Sequence, residues 1–503
     1  MRRALGHPVD GALAVPELGL PRVTTRHDAR RGVGTARAIR PIRIRAMALP
    51  WPSRTRARRL ISFDSPHVLR LTLLLRVFED FSALWRNMTT GRIAVIGGGL
   101  CGSLAALTLR SRGLSPVVID LGRKQVGGRL AGGFHADSGA QFLRSSDPGS
   151  QWASVLQQLS SVGLVAPWQG RFGMMGSRGG FLPREALGST KGSFGAMLKS
   201  EGDERANIDF CGFLAESEHA MYVGVPSNAS VCTGMCVGID VIHDVKVTGM
   251  RRSASGAWAL DVSGGGIGGL KSEDFAAVVI ASHDASLAAS AVQVAASDAD
   301  VEVAGRLEEL ARRFQQQRQE RTEACFTWSG FFPVGFSACV PLDAAVAPSS
   351  HVISFIARDA SKPGRPVTRA CDGGEGELWT AVSTANFAQS ILTRAPSTDP
   401  GDSGRGSEAA TVAAQAMSQE LTRLFAPYFG GELGRVPLPL VAAAKRWGAG
   451  FAKGTCELKE SAVTLEPWRL AVAGDYLQAH ASPIEAAAVS GLDAGERVAS
   501  WMS

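Results

Sequence analysis

Three glycines spaced Gly97-x-Gly99-x-x-Gly102 are the residues of this chain whose types and order point most directly to chemistry. A dinucleotide diphosphate needs a backbone it can approach closely. In this spacing the first glycine makes a tight turn, the second leaves room for the pyrophosphate, and the third lets a following helix pack on the preceding strand. Residues 103–110 read as that helix, whose N-terminal N–H groups and partial positive charge would face the phosphates. The apolar run 93–96 reads as the strand. A second strand, 116–120, ends in Asp120, 23 positions after Gly97 and near the roughly 20-residue spacing of a ribose-binding carboxylate. A second pattern at Gly264, Gly266 and Gly269 lacks this setting: strand-like sequence lies on both sides and no helix follows, so it reads as a hairpin loop.

Within ten residues of Asp120 comes Gly128-Arg129. An arginine there can reach back to the same pyrophosphate and add a charge-assisted contact. Far downstream, the apolar strand 468–473 ends at Gly474-Asp475, and a last helix runs from about residue 483 to 501. A carboxylate at that strand end can accept from a ribityl hydroxyl or an ordered water. Together these blocks point to flavin rather than nicotinamide. A nucleotide-binding strand thus opens the region and another closes it hundreds of residues later, which requires a discontinuous domain. The expected fold class is α/β: a discontinuous Rossmann-type FAD-binding domain (91–170, 230–290 and 465–503) with an inserted mixed-sheet α+β substrate domain (171–229 and 291–464).

Residues 1–90 differ from the rest. They hold 17 arginines, no lysine and six acids, a net +11, whereas 91–503 carry 36 basic and 40 acidic residues, a net −4. The high overall charge therefore gives no reason to expect nucleic acid binding by the main body. The basic segment has the composition of an organellar transit peptide, which would place the protein in a mitochondrion or plastid. A disordered basic extension, or a region upstream of a start at Met88, would leave it cytoplasmic. The apolar stretch 67–78 is broken by two arginines and is too short for a membrane span. The eight cysteines and nine histidines show no metal-ligand spacing, so no metal is expected. Nothing in the sequence fixes an oligomeric state.

The blocks Gly97–Gly102, Gly127-Gly128-Arg129-Leu130, Asp137-Ser138-Gly139-Ala140-Gln141-Phe142, Lys445-Arg446-Trp447, Gly474-Asp475 and Ser490-Gly491-Leu492 resemble those of the renalase-like group of flavin-dependent enzymes with the amine-oxidase fold. Two departures stand out: Ser227-Asn228 follow Tyr222–Pro226 where Gly-Met-Asn is usual, and Gly448 stands where arginine is common. The resemblance implies non-covalent FAD, with Gly139, Ala140 and Gln141 placing backbone near the isoalloxazine. It implies Arg446 and Trp447 close to the ring or substrate. It also implies an oxidase in which flavin N5 takes a hydride from a small-molecule donor and O2 receives the electrons, giving H2O2. The donor implied is an isomeric dihydronicotinamide dinucleotide. An amine oxidase or desaturase-type dehydrogenase is the alternative, and an FAD-binding protein without turnover the non-enzymatic one. Lysine is scarce in the inserted region, where between residues 280 and 444 only Lys362 occurs, in a stretch that reads as a polar loop. Trp328, Phe331 and Phe332 read as core or pocket lining.

Overall fold

The structure is a computed structural model. It describes residues 91–503, apart from 133–135, 177–179, 188–209, 215–219, 267–269, 271–272, 321, 366–374, 395–406, 453–454, 457, 479–481 and 503. The basic segment 1–90 and part of the second glycine pattern lie outside these residues.

Strand β1 (Ile93–Ile96), the Gly97–Gly99 turn, helix α1 (Leu100–Ser111) and β2 (Pro116–Ile119) form a βαβ unit. The strands are wholly buried, as expected of a parallel sheet covered on both faces. Helix α2 (Gln151–Ser161) follows, capped by the Ser150 side chain, which accepts from Ala153 N. Then come β3 (Val165–Pro167), β4 (Phe172–Met175), β5 (Phe181–Pro183), β6 (Tyr222–Gly224), helix α3 (Asn228–Met235) and β7 (Asp240–Ile242). Strands β8 (Val245–Arg252), β9 (Trp258–Gly264) and β10 (Asp274–Phe275) make a small antiparallel sheet, and β11 (Ala277–Ile280) returns to the first sheet. Among the described residues, Gly264 ends β9 and Gly266 follows it on the way to β10, the antiparallel partner of β9.

Helices α4 (Ala285–Ser297) and α5 (Val301–Glu320) lead into β12 (Thr322–Pro333), β13 (Ala344–Val346), β14 (Ile353–Arg358) and β15 (Gly376–Ser383). Helices α6 (Ala385–Arg394) and α7 (Glu408–Phe425), strands β16 (Val441–Ala452), β17 (Ala462–Leu465) and β18 (Leu470–Ala473), and helix α8 (Pro483–Met502) complete the chain.

Two large sheets result. The first has the order β17-β18-β11-β1-β2-β7, parallel except for edge strand β17. The second has the order β16-β12-β15-β14-β13-β4-β5, mixed but mostly antiparallel. This is a mixed α/β fold with a Rossmann-like dinucleotide-binding part. Its first sheet gathers strands from four separate regions of the chain. Helices α1 and α8 pack tightly because Gly491 and Gly495 face α1: a Cβ on Gly491 would lie 2.2 Å from Cys101 O. Helix α3 also joins this core, with Val231, Cys232 and Met235 packing in the same cluster as Leu104 and Ala105. One face of the second sheet, carrying Phe326, Trp328 and Ala444, packs with Ala413, Met417 and Leu421 of α7. The other face, carrying Cys325, Thr327, Ser329 and Thr380, is more polar and buried. No helix among the described residues is long and apolar enough to cross a membrane.

Candidate cofactor-binding crevice

The glycine turn forms for reasons visible atom by atom. Gly97 has φ +107°, a region closed to most side chains. Gly102 sits where α1 crosses that turn, and a Cβ there would lie 1.9 Å from Gly97 O. At Gly99 the situation is reversed. A Cβ would meet nothing nearer than Gly128 Cα at 4.0 Å, so the space above this backbone is open. Gly99 is also the N-cap of α1, with no side chain capping it and no acid in the first turn. The N-terminal N–H groups of the helix are thus left without a side-chain acceptor, which fits an anionic ligand.

Asp120 is buried. One carboxylate oxygen accepts from Gly98 N at 2.9 Å and the other from Gly122 N at 3.1 Å. Each oxygen keeps a second lone pair for a ligand hydroxyl. Asp120 lies on the β2 side of β1. On the other side, at the carboxyl ends of β11 and β18, is a cavity of about 340 Å³ lined by Arg129, His283, Asp475 and Tyr476 among others. Ligands of open α/β sheets bind at such strand ends.

Arg129 and Asp475, which the sequence places 346 positions apart, meet across this cavity. Arg129 donates to both Asp475 oxygens, at 2.7 and 2.5 Å. The Asp475 side chain is only 3% exposed, so its charge depends on this partner. The bidentate pair uses two of the five guanidinium N–H donors and a longer contact to Gly450 O at 3.5 Å a third, leaving two for a ligand. Gly474 N donates to Ser490 Oγ at 2.8 Å, which ties the end of β18 to α8. Burial and the Asp475 charge push the Cys101 thiol up to about 12, so it stays protonated beside this pair.

The segment 136–142 lies between the two sheets. Gly139 is required there: a Cβ would sit 1.8 Å from Arg129 O, which also accepts from Ala140 N at 2.9 Å. Gln141 is buried and satisfied at both ends. Its Nε2 donates to Asp137 O and Gly139 O, and its Oε1 accepts from Lys362 and Thr380. Asn228 fastens the same segment: its backbone N–H donates to Asp137 Oδ1, and its side chain donates to Ala140 O at 2.7 Å and accepts from Gly224 N. The Ser227-Asn228 departure noted in the sequence therefore supplies a structural tie.

Lys362 reads as a loop residue in the sequence, yet it is buried. Its Nζ lies 2.8 Å from Asp359 and 3.2 Å from Asp137, and Arg365 pairs with Asp137 as well. The physical reason is charge balance: two carboxylates inside the protein require cations beside them. Burial raises the Asp137 carboxyl above its ordinary range, and Lys362 and Arg365 pull against that shift.

Adjacent residues of a strand point to opposite faces, and this separates the pair Arg446 and Trp447. Trp447 is paired with Cys325 and lies on the polar face, where its Nε1 donates to Ser138 O at 2.6 Å. Lys445 shares that face and places Nζ 3.7 Å above the Trp447 ring. Arg446 is paired with Phe326, which belongs to the core on the opposite side. The structure thus brings Trp447 to the Ser138–Gly139 segment and turns Arg446 away from it. Trp328 and Phe332 belong to that opposite core, while Phe331 packs with Ala136 and Leu378 under the segment. Asn228, Lys362, Lys445 and Tyr476 were not singled out as site residues from sequence. Tyr476 follows Gly474-Asp475, Lys445 precedes Arg446-Trp447 and Asn228 falls beside Tyr222–Pro226, so three of the four lie next to blocks visible in the sequence, and Lys362 does not.

Residues 95–159 match the family described as an NAD(P)-binding Rossmann-like domain. No curated protein matches the chain by sequence. Among solved structures, a putrescine oxidase variant with redesigned cofactor binding is similar at 12% identity and a TM-score of 0.51, over 81% of this chain and 98% of that one. An oxidoreductase from Methanosarcina mazei is similar at 12% identity and a TM-score of 0.51, over 80% of this chain and 100% of that one. At this identity the likeness is one of fold.

Proposed function

We propose that this chain is an FAD-dependent oxidoreductase that takes a hydride from a small organic donor and passes the electrons to O2, giving H2O2. The observation that carries the reading is the crevice itself. An uncapped helix N-terminus opens above Gly99, with Asp120 on one side of β1 and the Arg129–Asp475 pair on the other. In this reading Gly97, Gly99 and Gly102 form the diphosphate cradle and Asp120 takes the ribose. Gly128 lets the backbone pass close to Gly99, where a Cβ would lie 3.1 Å from Gly99 Cα. Arg129 and Asp475 hold the flavin half, and Gly139, Ala140 and Gln141 lie along the ring. FAD, when bound, supplies the two-electron chemistry, while the protein supplies orientation and exclusion of water.

Trp447, fixed to Ser138 O, closes the segment from the second sheet, and Lys445 sets a cation beside it. We assign the donor-facing role to these two residues rather than to Arg446, which lies on the opposite face of β16, beside Phe326. In this reading the donor is an isomeric dihydronicotinamide dinucleotide, as the sequence blocks imply, and an amine is the alternative. Anaerobic mixing of the FAD-loaded protein with each donor class tests this. Rapid loss of the flavin absorption with dihydronicotinamides but not with amines is the expected result. Bleaching by amines alone would overturn the donor assignment, and no bleaching by either would leave only a binding protein.

A further inference from the structure

Tyr476 carries a polar atom without a partner. Its side chain is buried, at 2% exposure, and among the described residues nothing hydrogen-bonds its hydroxyl. The ring is not free to turn outward. It lies against Gly474, where a Cβ would come within 2.5 Å of Cε1, and Phe314 meets it edge-on at 6.3 Å between ring centres. Its carbonyl is held by Cys456 N at 2.8 Å. Buried hydroxyls almost always find a partner, because desolvation otherwise goes uncompensated. Tyr476 lines the same cavity as Arg129, His283 and Asp475, so a partner can enter from there.

Strand order says which part of a ligand that partner belongs to. Asp120 ends β2, on one side of β1, while Tyr476 follows β18, two strands away on the other side. A dinucleotide crossing the Gly97–Gly102 turn puts its adenosine half toward Asp120 and its other half toward β18. We infer that the Tyr476 hydroxyl is a hydrogen-bond donor to the flavin half of the bound cofactor, between the diphosphate and the ring. This rests on the FAD reading above and adds a contact to it. Burial holds the phenol well above its ordinary pKa, so it remains a donor throughout the working pH range.

The test is Tyr476→Phe, which removes one oxygen and keeps the ring. Binding is read by quenching of flavin fluorescence for FAD, and by competition for ADP, which carries only the adenosine half. The FAD dissociation constant should rise about five- to twentyfold. ADP affinity should stay within about twofold, and the melting temperature of the FAD-free protein should hold or rise, since an unpaired hydroxyl has been removed. An unchanged FAD dissociation constant would overturn the inference and assign the hydroxyl to water. An equal loss for ADP and FAD would overturn its placement on the flavin half. A wild-type protein that binds ADP but not FAD would instead defeat the FAD reading itself. A second measurement uses the unmutated sequence. The chain has only three tyrosines, so 3-fluorotyrosine labelling gives a simple fluorine spectrum. The Tyr476 resonance, assigned with Tyr222→Phe and Tyr428→Phe, should shift with FAD and stay in place with ADP. A Tyr476 resonance unmoved by FAD would contradict the contact.

Discussion

Replacing Gly99 by alanine separates a binding role from a folding role, and its neighbour Gly102 supplies the contrast. Gly99 has φ −73° and ψ −175°, a conformation open to any residue. The added methyl would meet only Gly128 Cα at 4.0 Å, an ordinary contact. The FAD-free protein should therefore lose little, within about 1 kcal/mol for the poorer helix cap. The methyl would occupy the open face where a phosphate must approach the backbone. Lengthening one charge-assisted hydrogen bond to the α1 N-terminus forfeits about 1.5–3 kcal/mol, or about ten- to hundredfold in FAD affinity. Gly102→Ala should behave in the opposite way. Its Cβ would fall 1.9 Å from Gly97 O and 3.2 Å from Ala281 Cβ, so backbone must shift and the fold should lose several kcal/mol. Thermal melting of the FAD-free variants and fluorescence titration with FAD read the two quantities separately. A Gly99→Ala variant that binds FAD like wild type would refute the placement of the diphosphate. A Gly102→Ala variant with an unchanged melting temperature would refute the account of the turn.

Three further outcomes follow from the buried charges and thiols. Lys362→Met leaves Asp137 and Asp359 buried beside one fewer cation, and urea unfolding should show a loss of about 3–5 kcal/mol. Adding Asp359→Asn should recover part of that loss, and a single variant as stable as wild type would show the cluster to be dispensable. Arg129→Lys keeps the charge but loses the bidentate contact to the nearly buried Asp475. It should weaken FAD binding at least tenfold, and equal binding would show that the fork geometry is idle. Burial pushes the thiols of Cys101, Cys232 and Cys325 from 9.0 up to about 12. Unfolded thiols release protons above pH 9 while native ones keep them, so this stability is complete below pH 9 and is lost as pH rises toward 12. The slope is about 1.4 kcal/mol per pH unit for each thiol. Melting temperatures that stay flat from pH 8 to 10.5 would contradict it.

The parts legible in sequence are those whose chemistry is local. Strand β1, the glycine turn, α1 and β2 follow one another within thirty residues, so spacing alone identifies them. The close of the sheet at Gly474-Asp475 was legible for the same reason. The contacts between sheets were not. Lys362 and Asp137 are 225 positions apart, and a lone lysine among Gly, Pro and Ser looks like a solvated loop. The pair Arg446 and Trp447 shows a second limit. Once β16 is known to be a strand, alternation sends the two side chains to opposite faces. The flanking Ala442-Ala443-Ala444 and Gly448-Ala449-Gly450 carry no alternation of polarity, so the strand period was hidden. In sequence Asn228 stands at a departure from a pattern, and only the fold shows its amide donating to Ala140 O.

The most direct measurement is the flavin content of the purified chain. Absorption in the visible range, followed by denaturation and identification of the released chromophore, gives both the cofactor and its mode of attachment. The protein is expected to be yellow and to release about one FAD per chain on unfolding. A colourless protein that also takes up no added FAD would contradict that expectation.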